Sequence, residues 1–298
     1  RISLQLGTGS LLANPGLVLN SALLSSLGNA KSVALHSYSS IDIYSTGTIG
    51  SATLDQMTLS AGEIRGFNQG SSTTTFAAKR ITLDNSTSGS IVSTAPVLGG
   101  GTLAFQSESI VLGAGQLRVN QFANVRLDGL GGIQVNGIGG FSTQGALTAN
   151  TSQIVGTLAS QHGISADGAL VVQTPVNDIG DRTSGSLGVS LTLQGSSVTS
   201  TTRIQLPGGS LSVRATNGST VIGNLVDVGG VAQNFNDVTK YTNAGDVSFS
   251  SATGNVTARV DIRSGADTSA SAMRGPRGLV LDESRGKLYS LNKLSSTV

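Results

Sequence analysis

Along most of this chain, apolar residues come in pairs separated by one other position, and each pair is followed by a glycine or polar turn. The clearest run is Leu103/Phe105, Ile110/Leu112, Leu117/Val119, Val125/Leu127 and Ile133/Val135, whose starts lie 7, 7, 8 and 8 residues apart. Alternate residues of a strand point to the same side, so each triplet offers two apolar side chains to one face. Three such strands make a coil of roughly 22 residues, the size of one β-helix rung with three short sheets. The pattern predicts an all-β chain built as a parallel β-helix (β-solenoid).

The same pattern runs along the rest of the chain with identifiable gaps. It is loose over residues 1–65, where Ile2/Leu4, Leu17/Leu19, Val33/Leu35, Ile41/Ile43 and Met57/Leu59 carry it. Residues 16–27 are expected to coil at most briefly, and no polar cap is evident at the start. Residues 66–79 break the rhythm and predict a loop, and residues 86–102 form a second interruption. A longer loop is expected at 175–186 and another excursion at 232–244; Val247/Phe249, Val256 and Val260/Ile262 close the body. A body of about 265 residues at roughly 22 per rung predicts roughly twelve rungs and a rod of about 55–60 Å. Residues 1–270 then form a solenoid shaft, and 271–298 a short non-solenoid tail.

Composition agrees with stacked short strands. Of 298 residues 41 are Gly and none is Cys or Trp, while 11% are charged and 4% aromatic. Disorder is excluded because 38% of residues are hydrophobic and alternate in phase. Residues 1–273 hold 13 basic and 14 acidic side chains, whereas Arg274, Arg277, Arg285, Lys287 and Lys293 face only Asp282 and Glu283 in the tail. The basic excess is therefore local, and no basic stripe with interleaved aromatics suggests nucleic-acid binding. No apolar run is long enough for a membrane span, and the lack of Cys excludes disulfides and thiolate metal sites.

More specific phrases occur at 203–267: Pro207-Gly-Gly-Ser-Leu-Ser-Val, Leu225-Val-Asp-Val-Gly-Gly, Ala244-Gly-Asp-Val-Ser-Phe, and a Val-Asp-Ile-x-Ser-Gly phrase from Val260. This segment resembles the filamentous haemagglutinin family of exported β-helical proteins. The resemblance implies a right-handed helix, export through an outer-membrane two-partner secretion transporter, and a location outside or on the outer surface of a Gram-negative bacterium. It also implies contact with a receptor or glycan on a host or neighbouring cell. The family's secretion motif is only half matched by Asn14-Pro15-Gly16-Leu17, which favours an interior or late shaft segment. Residues 275–298 resemble part of a YVTN/NHL-type β-propeller repeat, through Pro276, Leu279-Val-Leu-Asp282 and Lys287-Leu-Tyr-Ser-Leu. That likeness implies either a binding protein dominated by a downstream propeller or a tail that packs on the solenoid.

Candidate chemistry is sparse. A polysaccharide-cleaving β-helix enzyme, the main alternative, needs carboxylates gathered on one face, and here they are scattered. Asp178 and Asp181 are the closest acidic pair in the body, and a solvated turn is their simpler role. His162-Gly163-Ile164-Ser165 echoes a polygalacturonase motif without its acidic partners, so His162 reads as a turn residue and His36 as an outward strand residue. Gly129, Gly131, Gly132 and Gly137 read as rung turns rather than a phosphate cradle. Asp227, Arg118 and Arg126 are expected to point outward. The sequence therefore suggests no catalytic residue, metal ligand or cofactor. If the shaft binds a partner or glycan, the loops at 66–78, 175–186 and 232–243 are the candidates, with Phe67, Asp178, Asp181, Phe235 and Tyr241 as contacts.

Overall fold

The computed structural model describes residues 1–7, 16–27, 30–87, 97–236 and 238–263, together with the backbone of 278–282 and 287–291; the side chains at 233, 235 and 260–263 lie outside the described set. The chain is a parallel β-helix with three faces. The first face stacks ten parallel strands, among them Ile2–Gln5, Ser40–Tyr44, Glu63–Phe67, Gly115–Asn120, Ile138–Thr143, Gln161–Ala166, Ser190–Gly195, Ser210–Ala215 and Asp246–Ser251. The second and third faces form one sixteen-stranded sheet, because the long strand Thr220–Asp227 rounds their shared corner without a turn. Asn224 makes that bend possible with φ of 69°.

The apolar triplets do what their spacing dictates. On the first face Leu117, Phe141, Ile164, Leu193, Val213 and Phe249 lie in one register column. Leu103, Val125, Leu147, Leu170 and Val198 form a column on the second. Ile110, Ile133, Ile154, Ile204 and Val226 form one on the third. All of these side chains are buried in a single core, and each contributes about 1.5–3 kcal/mol by leaving water. Phe76 and Phe105, also in register, stack with centroids 5.5 Å apart. Corners are tight: a Cβ on Gly145 would lie 2.2 Å from the Ala123 carbonyl oxygen. Arg118 and Arg126 lie outside the core, as alternation requires, and pair with Asp167 at 2.7 Å and Asp128 at 2.8 Å.

Several expectations need correction. The second and third faces carry nine strands each among the described residues, not twelve, which gives a stack of about 40 Å. The excursions consume chain without adding rungs, and two of them leave a face one strand short. Glu63–Phe67 pairs directly with Gly115–Asn120, although the other faces insert Thr102–Ser107 and Ser109–Leu112 at that level. Gln153–Gly156 likewise pairs directly with Arg203–Gln205, although the other faces insert Gln161–Ala166 and Leu170–Gln173.

The loop expected at 66–79 is mostly strand, Glu63–Phe67 and Thr73–Ala77, with a short turn between. Buried Gln69 holds that turn: its Nε2 donates to the carbonyls of Ile43, Ser45 and Phe67, and its Oε1 accepts from Thr74. The start of the solenoid is also covered. Leu17–Leu19 pairs with Ile2–Gln5, and Asn20 caps the helix Ser21–Ser26 by accepting from the Leu23 N–H at 3.0 Å. Leu19, Leu24 and Leu27 pack against the core end. At the opposite end Lys287–Leu291 pairs antiparallel with both Asp246–Ser251 and Gly278–Asp282. The remaining tail residues lie outside the described set.

Candidate functional site

The solenoid is irregular mainly along one edge, the corner where the third face turns into the first. Between Arg80–Asp84 and Thr102–Ser107 the chain leaves the ladder near this corner, and it rejoins at the corner between the first and second faces, where Val97 and Leu98 are exposed. The excursion 174–189 leaves from the second face and rejoins the ladder at the corner between the third and first faces, and the hairpin Ala232–Phe235/Val238–Tyr241 leaves and returns there two rungs further on. Backbone hydrogen bonds tie these pieces in sequence: Ala159 N–H to Leu187, Gly188 N–H to Pro207, and Gly208 N–H to Gly229, at 3.0, 3.0 and 2.9 Å. Leu158, Val231, Val238 and Tyr241 are exposed along this edge, Leu158 to 72% and Tyr241 to 50%.

The sequence-predicted contacts fall in different places. Tyr241 stands on the exposed hairpin, and the Phe235 side chain lies outside the described residues. Asp178 is exposed, and its Oδ1 accepts from the Gly180 N–H at 2.8 Å in a local turn. Asp181 instead pairs with Arg203, so the two carboxylates do not form one site. Phe67 is not a loop residue. It ends a first-face strand and stacks on Tyr44, with centroids 4.8 Å apart, while Arg65 lies 5.6 Å above its ring. Among the described residues no group of three or more His, Cys, Asp or Glu side chains could hold a metal ion.

Sequence reasoning missed how the excursion 174–189 is held. Its segment Asp181–Ser184 lies as a strap across the outside of the third face. The Arg182 N–H donates to the Gly131 carbonyl at 2.7 Å. The side-chain amide of Gln153 donates to the Thr183 carbonyl at 2.7 Å, and that of Gln134 to the Ser184 carbonyl at 3.0 Å. Gly131 and Gly132 form the seat. A Cβ on Gly131 would lie 2.3 Å from the Arg182 Cγ, and one on Gly132 would lie 2.1 Å from the Thr183 Oγ1. Gly132 also has φ of 139°, so its turn role holds alongside this second one. Beyond the strap, Gly185 enters the fork where Val155 and Gln205 splay, and the Ser186 N–H donates to the Gly156 carbonyl at 2.8 Å. The tip is different: Val176 is fully exposed at 102%.

Two further polar features lie in or under the ladder. Asp42 on the first face is fully buried and receives two hydrogen bonds from Arg65, at 2.8 and 3.0 Å, with Arg1 as a second partner. Burial opposes the Arg65 charge, but the hydrogen bond and charge of Asp42, helped by Glu63 and Tyr44, outweigh it and raise its pKa. Glu63 beside it is buried and accepts from the Asn120 side chain. His162 is a buried strand residue rather than a turn residue. It sits in register between Gly139 and Leu191, only 5% exposed. With no side chain at Gly139, the imidazole reaches past that rung, and its Nε2 lies 3.1 Å from the Gly113 carbonyl oxygen. Its Nδ1 has no hydrogen-bond partner. Burial dominates and pushes the His162 pKa down, against the backbone hydrogen bonds. His36 faces out from its strand, and Asp227, half-buried, accepts from the Gly229 N–H.

Among the described residues no helix is long and apolar enough to cross a membrane. No protein-family model matches this sequence, and no curated protein or solved structure matches it significantly.

Proposed function

We propose that this chain is a structural shaft segment of a secreted or cell-surface bacterial adhesin, with the corner between its third and first faces as the contact edge. The observation that carries this reading is that the exposed Leu158 turn and the hairpin Ala232–Phe235/Val238–Tyr241 project from the same edge of the ladder. Repeat folds commonly put insertions on the face that binds, and loops carried on a rigid scaffold are where recognition residues concentrate. Stacked columns stiffen the rod, while the exposed residues at Leu158, Val231, Val238 and Tyr241 offer apolar and aromatic contacts. The resemblance to the filamentous haemagglutinin family supplies the rest: export through a two-partner transporter, an outer-surface location, and a glycan or receptor on another cell.

The test is binding of the labelled full chain to a glycan array and to cultured host and bacterial cells. Two variants accompany it, Leu158→Ser and one with 232–241 replaced by a tight turn. Saturable binding that falls at least tenfold in a variant with unchanged melting supports the reading. Binding that is absent everywhere, or untouched by both replacements, contradicts it. Reducing-end release from polysaccharides that Asp178→Ala abolishes would instead make this a glycan-cleaving enzyme.

A further inference from the structure

We propose that the outer third face at Gly131, Gly132, Gln134, Gln153 and Arg203 is a recognition groove for an extended peptide that leads with an acidic residue. In this chain its own segment Asp181–Ser184 fills the groove, and the same segment of a second copy can replace it. The inference is independent of the adhesin reading.

The groove has the parts such recognition needs. Its floor is a Gly-Gly step whose missing side chains are where Arg182 and Thr183 lie. Two glutamine amides, on rungs one step apart, each donate to a main-chain carbonyl of the bound segment. The Gly131 carbonyl in turn accepts a main-chain N–H. These contacts read an extended backbone rather than particular side chains, as in other cases of peptide capture on a sheet. Selectivity comes from Arg203, which pairs with the carboxylate of Asp181, and from the glycine floor.

The groove also keeps capacity that its own strap does not use. The Oε1 of Gln153 and the Nε of Arg203, on register partners beneath the strap, are buried without hydrogen-bond partners. Unmet polar groups of this kind weaken the closed state. The arm leading to the strap, residues 174–180, is largely exposed; a long hydrogen bond of 3.5 Å from Thr174 to Thr202 ties its base, and the other joins its own residues Asp178 and Gly180. It is a tether long enough to let the strap leave its seat. Because the strap is attached, its effective concentration is high, so the closed form dominates in dilute solution and exchange is a concentrated-solution event.

The first experiment uses a fluorescent peptide of residues 177–186 and two hosts, the native chain and the full chain with residues 175–186 replaced by twelve Gly/Ser residues. Anisotropy is expected to show at least tenfold tighter binding to the replaced chain, and Arg203→Glu in that background should remove the gain. A replaced chain that melts like the native one yet binds no better overturns the groove. If that replacement does not fold, Asp181→Ala in the native chain decides: several-fold stronger peptide capture supports the groove, and no change overturns it.

Exchange between copies is tested with single-cysteine chains, since the native chain has no cysteine. Ser184→Cys and Gln134→Cys chains, mixed at high concentration and oxidised, are expected to give a mixed disulfide dimer. If the two substitutions in one chain cross-link internally while the mixed chains never do, exchange is overturned.

Discussion

His162 gives the sharpest link between this fold and solution behaviour. Its imidazole is buried in the first-face stack with one nitrogen on the Gly113 carbonyl and the other unpartnered. The strands in register with it, Ile138–Thr143 and Ser190–Gly195, carry no ionisable side chain to receive a proton's charge. Burial pushes its pKa down, so the folded imidazole takes up a proton at lower pH than the unfolded chain, which protonates near pH 6.5. The stabilising difference is fully present above about pH 6.5 and is lost as pH falls below it. At pH 5.0 the unfolded state lies about 1.5 pH units below its pKa, so the loss reaches about 2 kcal/mol if the folded imidazole stays neutral throughout.

His162→Leu removes that linkage. At neutral pH the substitution leaves the Gly113 carbonyl unpaired but also removes the orphaned Nδ1, two opposing effects each on the order of 1–3 kcal/mol. Urea unfolding of both proteins at pH 7.5 and 5.0 isolates the difference, because every other titrating group is shared. The native chain should lose more stability than His162→Leu over that interval, with about 2 kcal/mol, or about 3 °C in Tm for a chain of this size, as the ceiling. Equal losses in the two proteins would refute the reasoning, since the folded imidazole would then titrate as freely as the unfolded one.

Two other substitutions probe the ladder. Arg65→Ala leaves the buried Asp42 carboxylate with Arg1 as its remaining cationic partner and should cost about 1–3 kcal/mol in chemical unfolding, less than the ~3–5 kcal/mol of a fully stranded charge, with much of that recovered in the Arg65→Ala/Asp42→Asn double variant. Gly145→Ala meets backbone carbonyls and should destabilise by about 1–3 kcal/mol. Gly163→Ala points into open space from a strand interior and should be neutral or stabilising by about 0.5–1 kcal/mol. Thermal melts of the two glycine variants check this ordering.

Much of the fold was legible because rung columns are built from local spacing. Leu103/Phe105 through Ile133/Val135 appear in the structure as the three inward columns that their intervals imply. What was not legible depended on contacts between distant rungs. The rung number was overestimated because nothing in the spacing shows that two faces skip a strand. Residues 66–79 looked like a loop because Gln69 and the threonines are polar, yet Gln69 is buried and satisfied by three carbonyls and a hydroxyl. His162 looked like a turn residue because Gly163 follows it, whereas Gly139, a rung away, makes its room. Gly131 and Gly132 were read as turn glycines, and their second role as a seat depends on residues about fifty positions later. Asp181 and Asp178 looked like a pair in sequence, but Arg203 separates their roles.

The central claim is that residues far apart in sequence are stacked at rung spacing. Ser142 and Ser250 occupy one first-face column, through Ser165, Gln194 and Arg214, and four rung steps put them about 19 Å apart. Spin labels at Ser142→Cys and Ser250→Cys, measured by pulsed electron paramagnetic resonance, should give one narrow distribution near that distance. A broad distribution centred on the order of 50–60 Å, the span of an unstacked chain of this separation, would contradict the stacked ladder.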